Sequence, residues 1–316
     1  MQLLKYSLGL LLFLVSFAAI AQQDKLLTHF MEDKMSINPG KTGLGLFNSV
    51  CVTSIYRNQW DRVNGAPNSA VLNLEADLSR FFPGGIGLSF YHDAIGFAIQ
   101  NNLALNYSYP ITIGNVGTLG LGVGLGLINY GMNPVWVPPT TNTDPDLPIG
   151  FAATNLDVNF GAYFNGKDFY VGISSTHLTE SLLKSQDVAG FERSYQTARH
   201  YYLMGGKKFD MLVGEINAQV LMRTDLIKFS ADFNTKYTYD FGNSKQGYVG
   251  LTVRTSDAVA LMLGYTPLEK LTVGYSYDLT VNRLSSISRG SHEIFFKYCY
   301  DLPERPKQSA RHPLWL

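Results

Sequence analysis

The feature that most constrains the fold is a stretch from Leu119 to Leu127 in which branched aliphatic residues alternate with glycine. Successive side chains of a β-strand point to opposite faces, so one face of this segment is apolar and the other is bare. Residues 271–280 alternate apolar and polar side chains in the same way. A soluble β-sandwich would carry charges on its outward face, but only 16% of the residues are charged and 46% are hydrophobic. The pattern therefore predicts an all-β transmembrane barrel with a lipid-facing wall.

Residues 1–21 have the features of a cleavable signal peptide. A lone Lys5 precedes an apolar run that ends at Ala19-Ile20-Ala21, as in secretory signals. The run is shorter than the ~20 apolar residues that a membrane-spanning helix needs. We therefore expect export, and the outer membrane of a Gram-negative cell as the destination.

Alternation bounded by turn residues predicts about 14 antiparallel strands between residues 46 and 300, an even number as in closed bacterial barrels. Such barrels have short periplasmic turns and long extracellular loops, and the predicted connections alternate in length accordingly. The predicted long connections are 57–68, 92–100, 131–153, 176–199 and 281–292. Within 176–199 we expect one helical turn, at 179–184.

The two ends of the chain differ from the barrel. Residues 22–45 are polar and do not alternate, so they form either a periplasmic tail or a plug inside the lumen. Residues 301–316 are basic and contain prolines. Arg311, His312 and Trp315 combine cationic steering with an apolar anchor, which suits docking to a periplasmic partner. The alternative is that this tail only completes the periplasmic rim.

The first long loop begins with a compact polar and aromatic group, Arg57, Gln59 and Trp60. We expect this loop to fold as a fixed cap at the barrel mouth. In that arrangement Arg57 pairs with an acid that faces the lumen, either Asp278 or Glu293, because charges inside a membrane need water or a partner.

The four glycines at positions 120, 122, 124 and 126 are expected to face inward. Glycine weakens a strand, and its repetition suggests that another backbone approaches the wall closely. The N-terminal lead and an extracellular loop are the two candidates for that close approach.

The only two cysteines, Cys51 and Cys299, fall on the first and last predicted strands. These strands are neighbours if the barrel closes, and export implies oxidising conditions. The sequence fixes neither register nor face, so a disulfide at the seam and two free thiols both remain open.

No part of the sequence indicates enzymatic chemistry. The six histidines do not pair at metal-ligand spacing with one another, with cysteine or with acids. Ser291, His292 and Glu293 are consecutive strand residues whose side chains alternate between faces, so they do not assemble a triad. Basic and acidic residues balance at 25 each, which gives no electrostatic attraction for nucleic acid. We predict no catalytic residues, no metal and no cofactor.

The long loops are the expected contact surface for a secreted partner, since buried aromatic and aliphatic anchors dominate such contacts. The predicted anchors are Trp136, Leu147, Phe191 and Tyr195.

Short motifs stand in a characteristic order along the mature chain: Ile37-Asn38-Pro39, Tyr56-Arg57-Asn58-Gln59-Trp60, Gly65-Ala66-Pro67, Gly87-Leu88-Ser89, Leu105-Asn106-Tyr107-Ser108-Tyr109, Arg199-His200-Tyr201-Tyr202, Gly274-Tyr275-Ser276-Tyr277-Asp278 and Gly290-Ser291-His292-Glu293-Ile294. In this order they resemble the PorP/SprF family of outer-membrane proteins, which belong to the type IX secretion and gliding machinery. Gly40-Lys41-Thr42 departs from the family's first motif.

The resemblance implies a non-enzymatic barrel that helps to export, dock or anchor large surface proteins, particularly adhesins with type B C-terminal sorting domains. It also implies other type IX components as partners, including a periplasmic ring or a peptidoglycan-associated protein. The alternative of a different class is a passive porin or hydrophobic-solute channel of similar size. Docking predicts a plugged lumen and a stable protein partner, whereas a porin predicts an open lumen and conductance.

Overall fold

Alternating side chains generate a closed barrel in the computed structural model, which describes residues 25–133, 150–186 and 192–303. Along the chain the strands are β1 (Ser49–Asn58), β2 (Asn68–Asp77), β3 (Gly85–Ile95), β4 (Ala98–Ile113), β5 (Gly117–Met132), β6 (Phe151–Gly166), β7 (Phe169–Thr176), β8 (Leu182–Gln186), β9 (Glu192–Gln196), β10 (His200–Asp210), β11 (Glu215–Thr224), β12 (Phe229–Gly242), β13 (Lys245–Arg254), β14 (Ala258–Leu268), β15 (Leu271–Thr280) and β16 (Ser291–Asp301). Strands β8 and β9 form a separate hairpin, and the other 14 form the antiparallel barrel, closed by pairing of β1 with β16. The predicted fold class is confirmed.

Helical structure in the described residues is brief. There is one α-helical turn, Lys34–Ile37, and there are three short 3₁₀ segments, Phe30–Glu32, Pro39–Lys41 and Arg283–Ser286. No helix in the described part of the chain is long and apolar enough to cross a membrane.

Strand β5 shows how the sequence sets the two faces of the wall. Gly120 and Gly122 are buried toward the lumen, whereas Leu121, Val123 and Leu125 point outward and are 39–61% exposed. An outward aliphatic band is the face that outer-membrane barrels present to lipid.

The two ends of the barrel differ in their connections. One end, here called the turn end, carries residues 78–84, 114–116, 167–168, 211–214, 243–244 and 269–270. The other, the loop end, carries residues 59–67, 96–97, 133–150, 177–199, 225–228, 255–257 and 281–290.

The predicted long loop at 92–100 is wrong. Strands β3 and β4 extend through most of this stretch and leave only residues 96–97 between them. Polar side chains of this stretch are paired across neighbouring strands: Asp93 accepts a hydrogen bond from Ser69 at 2.6 Å, and His92 Nδ1 lies 2.7 Å from Asn101 Oδ1.

The predicted helical turn at 179–184 is also wrong, because a β-hairpin, β8–β9, lies there. Ser181 and Leu183 are buried while Leu182 and Lys184 are exposed. This is the two-residue period of a strand and not the period of a helix.

Residues 25–44, here called the luminal segment, run through the inside of the barrel. Leu26 lies at the loop end, where it lines a cavity together with Asn282 and Leu284. At the turn end, Asn48 exchanges hydrogen bonds with Leu302 just before β1 begins. The segment therefore traverses the length of the lumen. The sequence analysis had left two alternatives for this region, a periplasmic tail and a plug inside the lumen.

The hydrophobic core lies between the luminal segment and the inner wall. Phe30, Met31 and Ile37 of the segment pack with inward-facing side chains of the strands, among them Tyr163, Tyr202, Met204, Leu221 and Met262. A second cluster surrounds Leu27 and contains Ile55, Val71, Tyr91 and Phe295. The apolar side chains of the segment thus cover the inward-facing apolar side chains of the wall.

The barrel seam carries a covalent link. Cys51 on β1 and Cys299 on β16 are register partners and form a disulfide, with their Cα atoms 4.0 Å apart. The bond joins the first and last strands directly, across a sequence separation of 248 residues.

Candidate functional site

A buried arginine lies on the inner wall of the barrel near the loop end. Arg57 faces inward from β1, opposite its register partner Glu293 on β16. Its Nη1 lies 3.2 Å from Glu293 Oε2, and its Nη2 lies 2.7 Å from Asp278 Oδ2 on β15. All three side chains are about 1% exposed. The structure thus brings Arg57 together with both acids that the sequence analysis had named as alternatives.

The luminal segment completes this network. The backbone N–H groups of Thr28 and His29 donate to the Glu293 carboxylate at 2.8 and 2.7 Å, and His29 Nδ1 lies 2.7 Å from the same group. The Thr28 hydroxyl donates to Asp278 at 2.7 Å and accepts from Arg57 at 3.0 Å. Buried charges are tolerated only when they are paired and hydrogen-bonded. Asp278 and Glu293 therefore each bind Arg57 of the wall and a residue of the luminal segment.

A second attachment holds the turn around Asn38 against the glycine-lined wall. The Asn38 amide donates to the carbonyl oxygens of Ala162 and Ile173 at 3.1 and 3.2 Å. Ser174 donates to Ile37 O and Ser108 donates to Gly40 O, both at 2.8 Å. These bonds satisfy backbone and amide groups that would otherwise be buried without partners.

Glycine permits this close approach on both sides of the contact. A Cβ on Gly122 would overlap the backbone of Pro39, and one on Gly40 would lie 2.7 Å from Gly120 O. The four glycines of β5 are all buried inward, and the atoms nearest to a Cβ at Gly120 or Gly122 include those of the luminal segment. Gly124 and Gly126 lie against Asn106 and Leu103 of the neighbouring strand.

A third attachment is ionic and lies toward the turn end. The Glu32 carboxylate of the segment is 3.0 Å from Lys297 Nζ on β16 and 3.7 Å from Lys236 Nζ on β12. Burial alone would raise the pKa of Glu32, but Lys297 and Lys236 outweigh it and hold that pKa well below its usual range. The carboxylate is therefore ionised and paired at neutral pH.

The first loop is tied to the last loop of the barrel. Gln59 is buried and its N–H donates to Pro67 O at 3.0 Å. The Trp60 N–H donates to the Ser291 hydroxyl at 3.1 Å, and the Asp61 N–H donates to Gly290 O at 2.7 Å. The loop is therefore held by backbone hydrogen bonds at the mouth, next to the Arg57 network.

A cavity of about 220 Å³ opens at the loop end beside Trp60. Apolar side chains line part of it: Leu26, Trp60, Phe229 and Leu284. Its charged side is formed by Arg223 and Arg254, which both contact the buried Asp232; the Arg254 Nε lies 2.7 Å from Asp232 Oδ1. This combination suits a ligand with an apolar group and a hydrogen-bonding group.

Sequence reasoning missed Arg223, Asp232 and Arg254. The available signal was their position, since each occupies an inward site in an alternating strand close to the loop end. Charges at such sites require partners, and the three residues are partners on adjacent strands.

One of the four predicted loop anchors is described. Tyr195 on β9 is half-buried and its ring stacks on Tyr130 of β5 with centroids 3.8 Å apart. Trp136, Leu147 and Phe191 lie outside the described residues, as do Arg311, His312 and Trp315 of the C-terminal tail.

A closed 14-stranded antiparallel barrel with an outward aliphatic band and an occupied lumen defines an outer-membrane β-barrel protein. The family follows from the sequence: the model of the type IX secretion system membrane protein PorP/SprF matches residues 19–298. The chain belongs to this family, as its motifs had predicted. The family is one of secretion-system membrane proteins, and type IX secretion components are accordingly its partners.

Solved structures agree on the fold. The barrel is similar to the toluene transporter TbuX of Ralstonia pickettii, with a TM-score of 0.55, 10% identity, and coverage of 86% of this chain and 94% of that one. It is also similar to the CymD monoaromatic hydrocarbon channel, with a TM-score of 0.53, 10% identity, and coverage of 86% and 93%. At this identity the likeness describes the fold alone. No curated protein shows a significant sequence match.

Proposed function

We propose that this barrel docks a large secreted surface protein at its loop end, and that it does so as a binding protein and not as a solute channel. The partner class is an adhesin with a type B C-terminal sorting domain, which the chain would help to export or anchor. The observation that carries the proposal is the luminal segment, which traverses the lumen and is bound to the wall by Glu293, Asn38 and Glu32.

The strength of these attachments argues against a passive pore. A solute crossing the lumen would have to displace Thr28 and His29 from Glu293 and Asp278. Separating one member of a buried ionic network costs about 3–5 kcal/mol. The apolar contacts of Phe30 and Ile37 add to that cost, because large apolar side chains contribute about 1.5–3 kcal/mol each when fully buried.

The loop end offers features of a protein-binding surface. The cavity beside Trp60 is lined by apolar side chains and by charged ones. The β8–β9 hairpin carries Tyr195, whose half-buried ring stacks on Tyr130. Interfaces concentrate their energy in a few aromatic and arginine side chains. Trp136, Leu147, Phe191 and Tyr195 remain our proposed anchors for the secreted partner.

The turn end is the proposed site for the other secretion components. Outer-membrane barrels face their short turns to the periplasm, and the chain leaves the last strand there at Asp301. We propose that Arg311, His312 and Trp315 dock a periplasmic partner. We also propose that residues 1–21 are removed as a signal peptide, which intact-mass measurement of the mature protein tests.

Affinity capture from outer membranes tests the docking role. The tagged full-length protein is compared with a variant lacking residues 134–149 and with Trp60→Ala. Recovery of a large secreted protein with the full-length chain, and its loss with either variant, is the expected result. Normal heat-modifiable migration of each variant on a gel shows that its barrel is intact. Failure to recover such a protein, together with steady ion conductance in a planar bilayer, would contradict docking and favour a porin.

A further inference from the structure

The luminal segment leaves open space at the turn end of the barrel. Two adjoining cavities of about 340 Å³ each lie there, and both are lined by Glu32, Glu215, Lys236 and Lys297. We call this space the turn-end vestibule. In an outer-membrane barrel it faces the periplasm.

The charge in the turn-end vestibule is unbalanced. Four carboxylates line it, those of Glu32, Asp168, Glu215 and Glu269. Seven lysines line it: Lys34, Lys167, Lys207, Lys208, Lys236, Lys270 and Lys297. Two of them have further acidic partners at the rim, because Lys208 pairs with Asp210 and Lys270 pairs with Asp301. Deeper in the vestibule, the Glu32 carboxylate lies within 4.0 Å of both Lys236 and Lys297 and is shared between them.

Lys34 is the clearest case of an uncompensated charge. Within the part of the chain that the structure describes, no carboxylate lies within 4.0 Å of its Nζ. The ammonium instead lies over the Tyr170 ring, 3.8 Å from the centroid. Burial lowers the pKa of Lys34 to about 7; the nearby Glu32 carboxylate opposes this shift, and the charges of Lys41, Lys297 and Lys236 add to it. An anion bound beside Lys34 would restore the ammonium form.

We propose that the turn-end vestibule binds an acidic peptide segment of a periplasmic protein, with Lys34, Lys236 and Lys297 as the groups that recognise its carboxylates. This inference rests on the proposed function, which places other secretion components at the turn end. Charge complementarity selects the ligand. The adjoining cavities are large enough for several side chains, which a single inorganic anion would not fill.

The chain's own C-terminal tail does not fit this site. Residues 304–316 follow Pro303 in the sequence, and their charged side chains are Arg305, Lys307 and Arg311 against one acid, Glu304. A basic tail is repelled by a lysine-rich vestibule. Acidic side chains on a second protein match the charge of the vestibule better than these residues do.

Binding of a fluorescein-labelled hexaglutamate peptide to the purified full-length protein tests the site. We expect saturable binding, weakened about tenfold by Lys34→Gln and retained by Lys34→Arg, because one charged contact inside a cavity is removed or kept. Lys228→Gln makes the same charge change at the exposed loop end and should leave the affinity unchanged. Hexaglutamine of the same length should not bind.

A pH series separates the site from general attraction to lysines. Peptide affinity should fall as the pH rises through about 7, because Lys34 loses its proton, and Lys34→Gln should flatten that dependence. The proposal is overturned if Lys34→Gln and Lys228→Gln bind the peptide equally. It is also overturned if inorganic phosphate competes as strongly as the peptide, which would define a small-anion site.

The outcome does not depend on docking at the loop end. The variant lacking residues 134–149 should bind hexaglutamate normally even if it captures no secreted protein. If the full-length protein captures a secreted protein but does not bind hexaglutamate, only the vestibule site is contradicted. If it binds hexaglutamate but captures no secreted protein, only docking at the loop end is contradicted.

Discussion

Arg57 and Glu293 face each other across the seam between the first and last barrel strands, and both also bind the luminal segment through Thr28. Closure of the barrel and retention of the segment therefore depend on the same pair. The Cys51–Cys299 disulfide spans the same two strands closer to the turn end. The seam thus carries an ionic link near one end and a covalent link near the other.

Replacement of Arg57 by Gln should destabilise the barrel and release the luminal segment. The change leaves Asp278 and Glu293 buried without their cationic partner, and losing one member of such a pair costs about 3–5 kcal/mol. We expect a lower midpoint of urea unfolding and faster proteolysis within residues 25–44.

The matched control for this change is Arg283→Gln, which removes an exposed arginine at the same end of the barrel. It should leave both measurements unchanged. Equal unfolding midpoints for the two variants would show that the Arg57 network contributes little.

Gly122→Ala should displace the turn at Asn38 from the wall. The added methyl group overlaps the backbone of Pro39, which cannot move without breaking its neighbours' hydrogen bonds. Overpacking of this kind costs about 1–3 kcal/mol. Hydrogen exchange of residues 37–41, measured by mass spectrometry, should accelerate.

Gly205→Ala is the control for this change, because a Cβ at Gly205 meets neighbouring atoms at 3.6 Å or more. Hydrogen exchange of residues 37–41 should be the same in Gly205→Ala as in the natural protein. Unchanged exchange in Gly122→Ala would mean that the turn does not depend on the glycine surface.

The strands of the barrel were predictable because each one carries its own two-residue period. Strand β15 was predicted at residues 271–280 and lies at Leu271–Thr280. Strand ends were less accurate where polar residues continue the pairing, as at His92 and Asp93. A polar side chain is compatible with a loop and with the end of a strand near the barrel mouth, and local sequence does not distinguish them.

The site was predictable only where register brings neighbours together. Arg57 and Glu293 occupy inward positions on adjacent strands, so a pairing could be expected from the barrel alone. The contact of His29 with Glu293 joins residues 264 positions apart through a segment with no periodic pattern. Its docking depends on the shape of the assembled lumen, which no local pattern encodes.

Acid should weaken retention of the luminal segment through Glu32. Since Lys297 and Lys236 hold its pKa below the ordinary value of 4.5, the stability that Glu32 contributes is fully present above that value and is lost as the pH falls below it. The urea midpoint should therefore be level from pH 7 to pH 5 and lower at pH 3.5. Glu32→Gln should lower the urea midpoint at pH 7 and reduce the fall of the midpoint in acid. Part of that fall should remain, because other carboxylates in the lumen are also protonated.

Glu269→Gln, at an exposed turn, serves as the control for the acid series. Its pH profile should match the natural protein. Identical profiles for Glu32→Gln and the natural protein would contradict a role for the Glu32 ion pairs.

Removal of the seam disulfide should lower stability without preventing barrel formation. Strands β1 and β16 remain paired from Ser49 to Asn58, so the double variant Cys51→Ser/Cys299→Ser should still insert into the outer membrane. The disulfide closes a 248-residue separation, and loss of a native disulfide costs about 2–5 kcal/mol because the unfolded chain is less constrained. The urea midpoint of the purified double variant should fall accordingly. Reductant added during unfolding should lower the midpoint of the natural protein and leave the double variant unaffected; equal midpoints for the two proteins in the absence of reductant would show that strand pairing alone determines the stability of the seam.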